Sequence, residues 1–223
     1  MSAHPRQLAL ALCHAENFAR EDFLSGPSNA VALALVDAWP DWSHRTVMLT
    51  GPEGSGKSHL AAMWAQAAGA RLIAARAVEE ASVPAALATG ALVVEDVAAG
   101  SFEEKALFHL LNLAREQDAF VMLTARTPPA TFAIADLTSR LKALPVVAIA
   151  PPDDGLLRAV LLKLFSDRQL AVDEALLGYV GTRIERSFAA ARAVVALLDA
   201  EAMRRKRPLT RALAAEILRT SEP

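Results

Sequence analysis

The run TVMLT-GPEGSGKS-HLAAMWAQAAG, Thr46 to Gly69, constrains the fold of this chain more than any other segment. Thr46–Thr50 is apolar and β-branched, as a buried strand is. The stretch after Ser58 is helical in character, and Gly69 closes it. Between the two, Gly51–Ser58 fits the spacing G-x-x-x-x-G-K-S. A glycine-rich turn between strand and helix aims backbone N–H groups at one point, and the helix N-terminus adds partial positive charge. Gly51, Pro52, Gly54, Ser55 and Gly56 are therefore expected to cradle phosphate oxygens. Lys57 is expected to reach the β- and γ-phosphates, and Ser58 to hold Mg²⁺.

Such a unit belongs to a sheet with helices packed on it, and the chain offers four further strands. They are RLIAA at Arg71–Ala75, ALVV at Ala91–Val94, FVMLT at Phe120–Thr124 and VVAI at Val146–Ile149. ALVV is apolar throughout, as expected when both faces are covered. Helices are expected at Asn29–Trp39, which Pro40 ends, and at Phe102–Gln117. In the second, Phe108, Leu111 and Ala114 are available for one buried side. Strands alternating with helices predict an α/β fold with a central parallel sheet flanked by helices. After Pro151-Pro152 no strand candidate remains. Asp153–Thr220 reads as amphipathic helices punctuated by Gly155, Gly178 and Pro208. Three regions are expected: an extended tail at 1–20, an α/β nucleotide-binding base at 21–152 and a small all-helical domain at 153–223.

The second acidic station is ALVVEDV. Glu95 and Asp96 follow four apolar residues, the Walker B pattern. Carboxylates at the carboxyl end of a parallel strand face the ligand crevice. There they can bind Mg²⁺ and polarise an attacking water. The alternative is that Asp96 caps a helix.

Composition removes several function classes. Lys and Arg total 23 against 25 Asp and Glu, so no global positive field draws the chain to nucleic acid. Cys13 is the only cysteine, which excludes an internal disulfide and suits a reducing cytosol. No apolar run reaches the ~18 residues of a membrane span. The apolar stretch Leu8–Cys13 is too short for a secretion signal, and His14 and Glu16 follow it. The chain is expected to be cytoplasmic, with no membrane partner.

These motifs together resemble the AAA+ ATPases of the DnaA type, and more narrowly the Hda-like, DnaA-related regulators of replication initiation. The resemblance covers nearly the whole chain. FLSGPSN, from Phe23 and Leu24 to Asn29, resembles the segment that helps enclose the adenine. GPEGSGKSHL is similar to that group's phosphate loop, continuing into His59 and Leu60. FHLLNLAREQDAFVMLTARTPP, Phe108–Pro129, resembles the helix and sensor 1 strand, with Thr124 and Arg126 as the polar sensor candidates. DLTSRLKA, Asp136–Ala143, resembles the box that carries an arginine finger, here Arg140. IERSFAAAR offers Arg186 or Arg192 as the sensor 2 arginine, and the family spacing fits Arg186 best. The helical domain would then be a lid, and the fold a P-loop AAA+ base followed by that lid. The expected ligand is ADP or ATP with Mg²⁺, with ADP as the resident structural nucleotide.

The resemblance also implies partners. In DnaA a DNA-binding domain follows the lid, and this sequence stops at Pro223 without one. QLALAL, Gln7–Leu12, resembles peptides that bind the bacterial β sliding clamp. Gln7 would hydrogen-bond, and Leu8, Leu10 and Leu12 would anchor in a groove. The alternative is an edge strand or a segment folded on the core. The implied activity is hydrolysis of DnaA-bound ATP, stimulated in trans by Arg140 on a clamp that sits on DNA. DNA would be met mainly through the clamp, which associates the protein with the nucleoid, and a homodimer or higher oligomer is possible. The order Glu95-Asp96 reverses the usual Asp-then-Glu, so weak intrinsic ATPase activity is expected. Arg204–Arg207, RRKR, is read either as a DNA contact or as a solvated helix end. An autonomous P-loop ATPase or kinase, another AAA+ adaptor such as a helicase loader, and a DnaA-sequestering paralogue are the competing functions.

Overall fold

The computed structural model describes residues 20–128 and 131–220. The proposed clamp motif (Gln7, Leu8, Leu10, Leu12) and Pro129 lie outside them. Among the described residues no helix is long and apolar enough to cross a membrane.

Five strands form one parallel sheet: β1 Thr46–Thr50, β2 Arg71–Ala74, β3 Ala91–Glu95, β4 Phe120–Ala125 and β5 Val146–Ala148. Their spatial order is β2-β3-β4-β1-β5. Met48 pairs with Leu123, and Val47 with Met122; Leu92 pairs with Val121, and Val93 with Met122. This register sorts side chains by face, because alternate residues point to opposite sides. Met48, Leu92, Val94, Val121 and Leu123 enter one core. Val47, Leu49, Val93 and Met122 enter the other. The apolar runs are thus two interleaved faces, both covered. The edge strands β2 and β5 carry exposed residues, which their place in the sheet explains.

Helices α1 Ala30–Asp37 and α2 Lys57–Ala68 cover the second face, with Leu33, Val36, Leu60 and Trp64 buried there. The short α3 Val83–Ala86, α4 Glu104–Glu116 and α5 Ala135–Ala143 cover the first. Gly69, at φ 62°, ends α2 in a left-handed turn, as read from the sequence. Asn29 differs from its expected place inside a helix. It precedes α1, and its side chain ties the preceding loop instead. Gly26 N–H donates to Asn29 Oδ1 at 2.8 Å, and Asn29 Nδ2 donates to Leu24 O at 3.0 Å. The helix expected from Phe102 begins at Glu104.

The last four helices, α6 Asp154–Asp167, α7 Glu174–Gly181, α8 Phe188–Arg205 and α9 Arg211–Thr220, close on a third core. It is built from Leu161, Phe165, Leu176, Val180, Val195, Leu198 and Leu213. Gly155 and Gly178 do not punctuate these helices as expected; they lie inside α6 and α7. The boundaries are set by caps. Asp153, Asp173 and Ser187 accept from the N–H groups of Leu156, Leu176 and Ala190, and such caps contribute ~1 kcal/mol each.

Three of the four cations of the RRKR run are paired within the lid. Arg204 and Arg205 pair with Glu201, and Arg205 and Arg207 with Glu216. Hydrogen bonds from Arg204 and then Arg205 hold the Glu201 carboxyl down from 4.5 to about 2. A depressed folded-state pKa contributes stability above the ordinary carboxyl range, and that contribution is lost as pH falls through the folded value. Glu201→Gln should therefore lose less stability than the parent between pH 4.5 and about 2. Denaturant titrations at several pH values read this, and superimposable pH profiles would remove the role given to the cluster.

Candidate nucleotide-binding site

The phosphate loop leaves β1 at Thr50 and enters α2 at Lys57. Gly56 precedes the helix at φ 100°, and Gly54 sits at φ 71°, both left-handed. A Cβ at Gly51 would stand 2.5 Å from the carbonyl oxygen of Ile149, so only glycine fits where the loop passes the residue that follows β5. Lys57 is buried and folds back on its own loop. Its ammonium donates to Gly51 O at 2.7 Å and to Pro52 O at 2.8 Å. Burial pushes its pKa below the ordinary value, and Asp96 is the strongest charge opposing that shift. Ser55 Oγ is buried with no hydrogen-bond partner. A cradle closed to side chains, a buried ammonium and an orphaned hydroxyl fit a phosphate chain in this loop.

β4 lies between the loop strand and the acidic strand, which brings the polar candidates together. Glu95 ends β3, and its Oε1 is buried without a partner. Asp96 follows at φ 58° and is exposed; its N–H donates to Thr124 Oγ1 at 3.1 Å. The left-handed backbone at Asp96 is uncommon outside glycine, though Asp tolerates it better than most residues. It turns the chain so that Val97 N–H returns to Thr124 O. The residues available to Mg²⁺ are the exposed Ser58 and Asp96, with Glu95 at the strand end. Arg126 pairs with Glu53 of the phosphate loop at 2.6 Å. The sequence reading did not single out Glu53. Its variable place within the motif carries no signal, and only the fold brings it beside Arg126.

The adenine-side candidates meet next to the loop. Phe23 is buried, and its ring stands edge-on to His59 with centroids 5.1 Å apart. Leu24 is half-buried. The Asn29 bonds fix the loop between them, and Ala150 N–H donates to Ser28 O. A Cβ on Gly26 would touch Leu156 of α6 at 3.0 Å, so this loop runs between base and lid.

The lid reaches the phosphate loop through the start of α8. Phe188 N–H donates to Gly54 O at 2.8 Å, and the Phe188 ring lies 3.3 Å from where a Gly56 Cβ would be. Arg186 sits beside this contact in sequence, yet its guanidinium pairs with Asp154 at 2.7 Å, outside the loop. Arg192 is exposed on α8. Phe188 is therefore a lid residue touching the cradle, beside Ser187 and Ala189 at Gly54, a role the alanine-rich sequence around it did not reveal.

Arg140 lies on α5. Leu137 and Leu141 anchor that helix in the core, and Thr138 Oγ1 accepts from Phe132 N–H at 2.9 Å. Arg140 is half-exposed, with its guanidinium carbon 4.9 Å from the centroid of the Phe108 ring. Phe108, Leu111 and Ala114 share one side of α4 as expected, all against the same core. Leu111 and Ala114 are buried, whereas Phe108 is half-buried and carries the arginine.

Sheet order, phosphate loop and helical lid together define a AAA+ fold. Domain III of the Thermotoga maritima replication initiation protein DnaA superposes with a TM-score of 0.76 at 17% identity, covering 92% of this chain and 97% of that one. DnaA from Aquifex aeolicus in its AMPPCP-bound form gives 0.64 at 19% identity, over 83% and 67% of the two chains. The Thermotoga maritima RuvB Holliday junction branch migration motor gives 0.68 at 17%, over 87% and 69%. No family model and no curated protein sequence matches the chain.

Proposed function

We propose that this chain is an Hda-like negative regulator of replication initiation, a nucleotide-bound AAA+ protein that promotes hydrolysis of DnaA-bound ATP. The observation that carries this reading is the setting of Arg140. It is half-exposed on a firmly anchored helix, and among the described residues no carboxylate pairs with it. It is thus available to the γ-phosphate of a nucleotide held by a neighbour. The likeness in fold to DnaA domain III over most of the chain supports such a pairing of like modules. In this reading Gln7, Leu8, Leu10 and Leu12 tether the protein to the β sliding clamp on DNA.

The chain's own ADP or ATP would lie on the Gly51–Ser58 loop. Lys57 would turn from its own carbonyls to the phosphates, and Phe23 and His59 would flank the base. Mg²⁺ would be held by Ser58, Asp96 and Glu95, and would supply charge neutralisation at the phosphates. Asp96 is one methylene shorter than the usual second acid, and ~1 Å of misplacement can cost about 10²-fold, so turnover by the chain alone is slow.

The test combines DNA-loaded clamp, ATP-bound DnaA and this protein, and measures ADP formed. Arg140→Ala should lower the stimulated rate by about 10³-fold, the lower end of what arginine fingers supply. Replacing Gln7 and the tail leucines by Ala should raise the concentration needed while leaving the rate at saturation intact. Undiminished stimulation by Arg140→Ala would end the finger assignment. Rapid turnover without DnaA would favour an autonomous ATPase, and binding to the replicative helicase in place of the clamp would favour a loader.

A further inference from the structure

We propose that Phe108 is a positioning residue for Arg140, its ring holding the guanidinium without spending the donors that must reach a phosphate. The proposal rests on the reading of Arg140 as a group that acts on a neighbour's nucleotide.

A surface arginine has five N–H donors and a flexible stem. Left free, it loses side-chain entropy each time it is used. Held by a carboxylate, it is ordered, but its charge is met and its donors are occupied. An aromatic face avoids both problems. The guanidinium lies against the ring through its own face, and its N–H groups point outward in the plane. The Arg140 guanidinium carbon stands 4.9 Å from the Phe108 centroid, within cation–π reach, and no carboxylate partners it among the described residues. Arg183 also stands over a ring, 3.8 Å from the Tyr179 centroid, but it donates to Tyr179 O and Thr182 Oγ1; several other arginines are met by carboxylates. Arg186 is met by Asp154, Arg126 by Glu53, and Arg204 by Glu201.

The supporting helix is also fixed for this purpose. Glu104 and Phe108 stand four residues apart on α4 and so share a face. The Glu104 carboxylate accepts from the N–H groups of Ala133 and Ile134, at 3.1 and 2.9 Å, immediately before α5. Phe108 meets the same helix further along, at Arg140. Helix α4 therefore grips α5 at two points, one at its start and one at the working side chain. Thr138 adds a third restraint, bonding the loop at Phe132. The result is an arginine presented on a rigid element, and small errors of placement are costly in reactions of this kind.

The experiment compares Phe108→Leu, Phe108→Trp and Arg140→Ala in the assay of DnaA-bound ATP hydrolysis on DNA-loaded clamp. Phe108→Leu should lower the maximal stimulated rate about three- to thirtyfold, the span that loss of a cation–π contact allows. The half-saturating concentration should not move, since the tether is untouched. Phe108→Trp should restore the rate, because indole is the better cation acceptor. Thermal unfolding monitors the fold, and Phe108→Met serves the same comparison if the Leu chain is unfolded. A parental rate with Phe108→Leu, alongside inactive Arg140→Ala, overturns the role of Phe108 and leaves the finger standing. Equal losses with Leu and Trp overturn it too, since the ring would then act only by packing. Full activity of Arg140→Ala overturns both readings together.

Discussion

Lys57→Met is expected to weaken ATP and ADP binding by about 100-fold or more, the loss of the charge-assisted bonds that one ammonium makes to phosphates. The nucleotide-free protein should remain about as stable as the parent, within about 1 kcal/mol, because two effects oppose each other. The substitution removes the hydrogen bonds to Gly51 O and Pro52 O, and it also removes a cation that burial disfavours. The sign of the second effect can be checked by pH. A lowered folded-state lysine pKa means that the charged form burdens the fold below that pKa, and the burden lifts as pH rises towards 10.5. The stability of the Met chain relative to the parent should therefore decline as pH is raised. Calorimetric titration with nucleotide reads the first outcome, and denaturant unfolding across alkaline pH reads the second. Parental affinity in Lys57→Met would remove this loop from nucleotide binding.

Gly54→Val is the second large effect, and it acts through the lid. Gly54 occupies φ 71°, where a side chain is strained. A Cβ there would stand 2.9 Å from Ala189 Cβ and 3.0 Å from the Ala189 backbone nitrogen. Left-handed strain of ~1–2 kcal/mol and overpacking of ~1–3 kcal/mol together predict a loss of about 2–5 kcal/mol if the contact is kept. The lower-energy escape is to break the Phe188–Gly54 hydrogen bond and let α8 move off the loop. Proteolysis at the base–lid junction near 149–153 should then accelerate, and the melting temperature should fall. Gly54→Ala should lie between parent and Val, and a parental melting curve and cleavage rate in Gly54→Val would show that the lid contact is dispensable.

The sheet was readable because its strands are short apolar runs between glycine and proline signals, and buried parallel strands look like that. Helix ends were less readable. Gly155 and Gly178 look like breaks, but cap bonds at Asp153 and Asp173 outweigh the modest cost of a glycine inside a helix. The phosphate loop was legible because its chemistry is local: one turn supplies the glycines, the lysine and the helix terminus. Contacts made across the fold were not. Glu53 with Arg126, Phe188 with Gly54 and Arg140 with Phe108 join residues 73, 134 and 32 positions apart. Nothing in the periodicity of either partner marks such pairs. Arg186 shows the same limit from the other side. Its spacing suggests the nucleotide, while in the fold its charge is met by Asp154.

The lid is fastened to the phosphate loop by a main-chain bond, from Phe188 N–H to Gly54 O. Such a bond is indifferent to which side chain position 188 carries, except proline, which has no N–H to give. Position 54 has no such latitude, since its φ and its neighbours admit only glycine without strain. A library of all substitutions at the two sites should therefore be lopsided. The acceptor's residue should be nearly immutable, and the donor's should tolerate exchange wherever the aromatic packing on Gly56 can be spared. Inheritance of the lid's attachment thus rests on a residue that has no side chain at all.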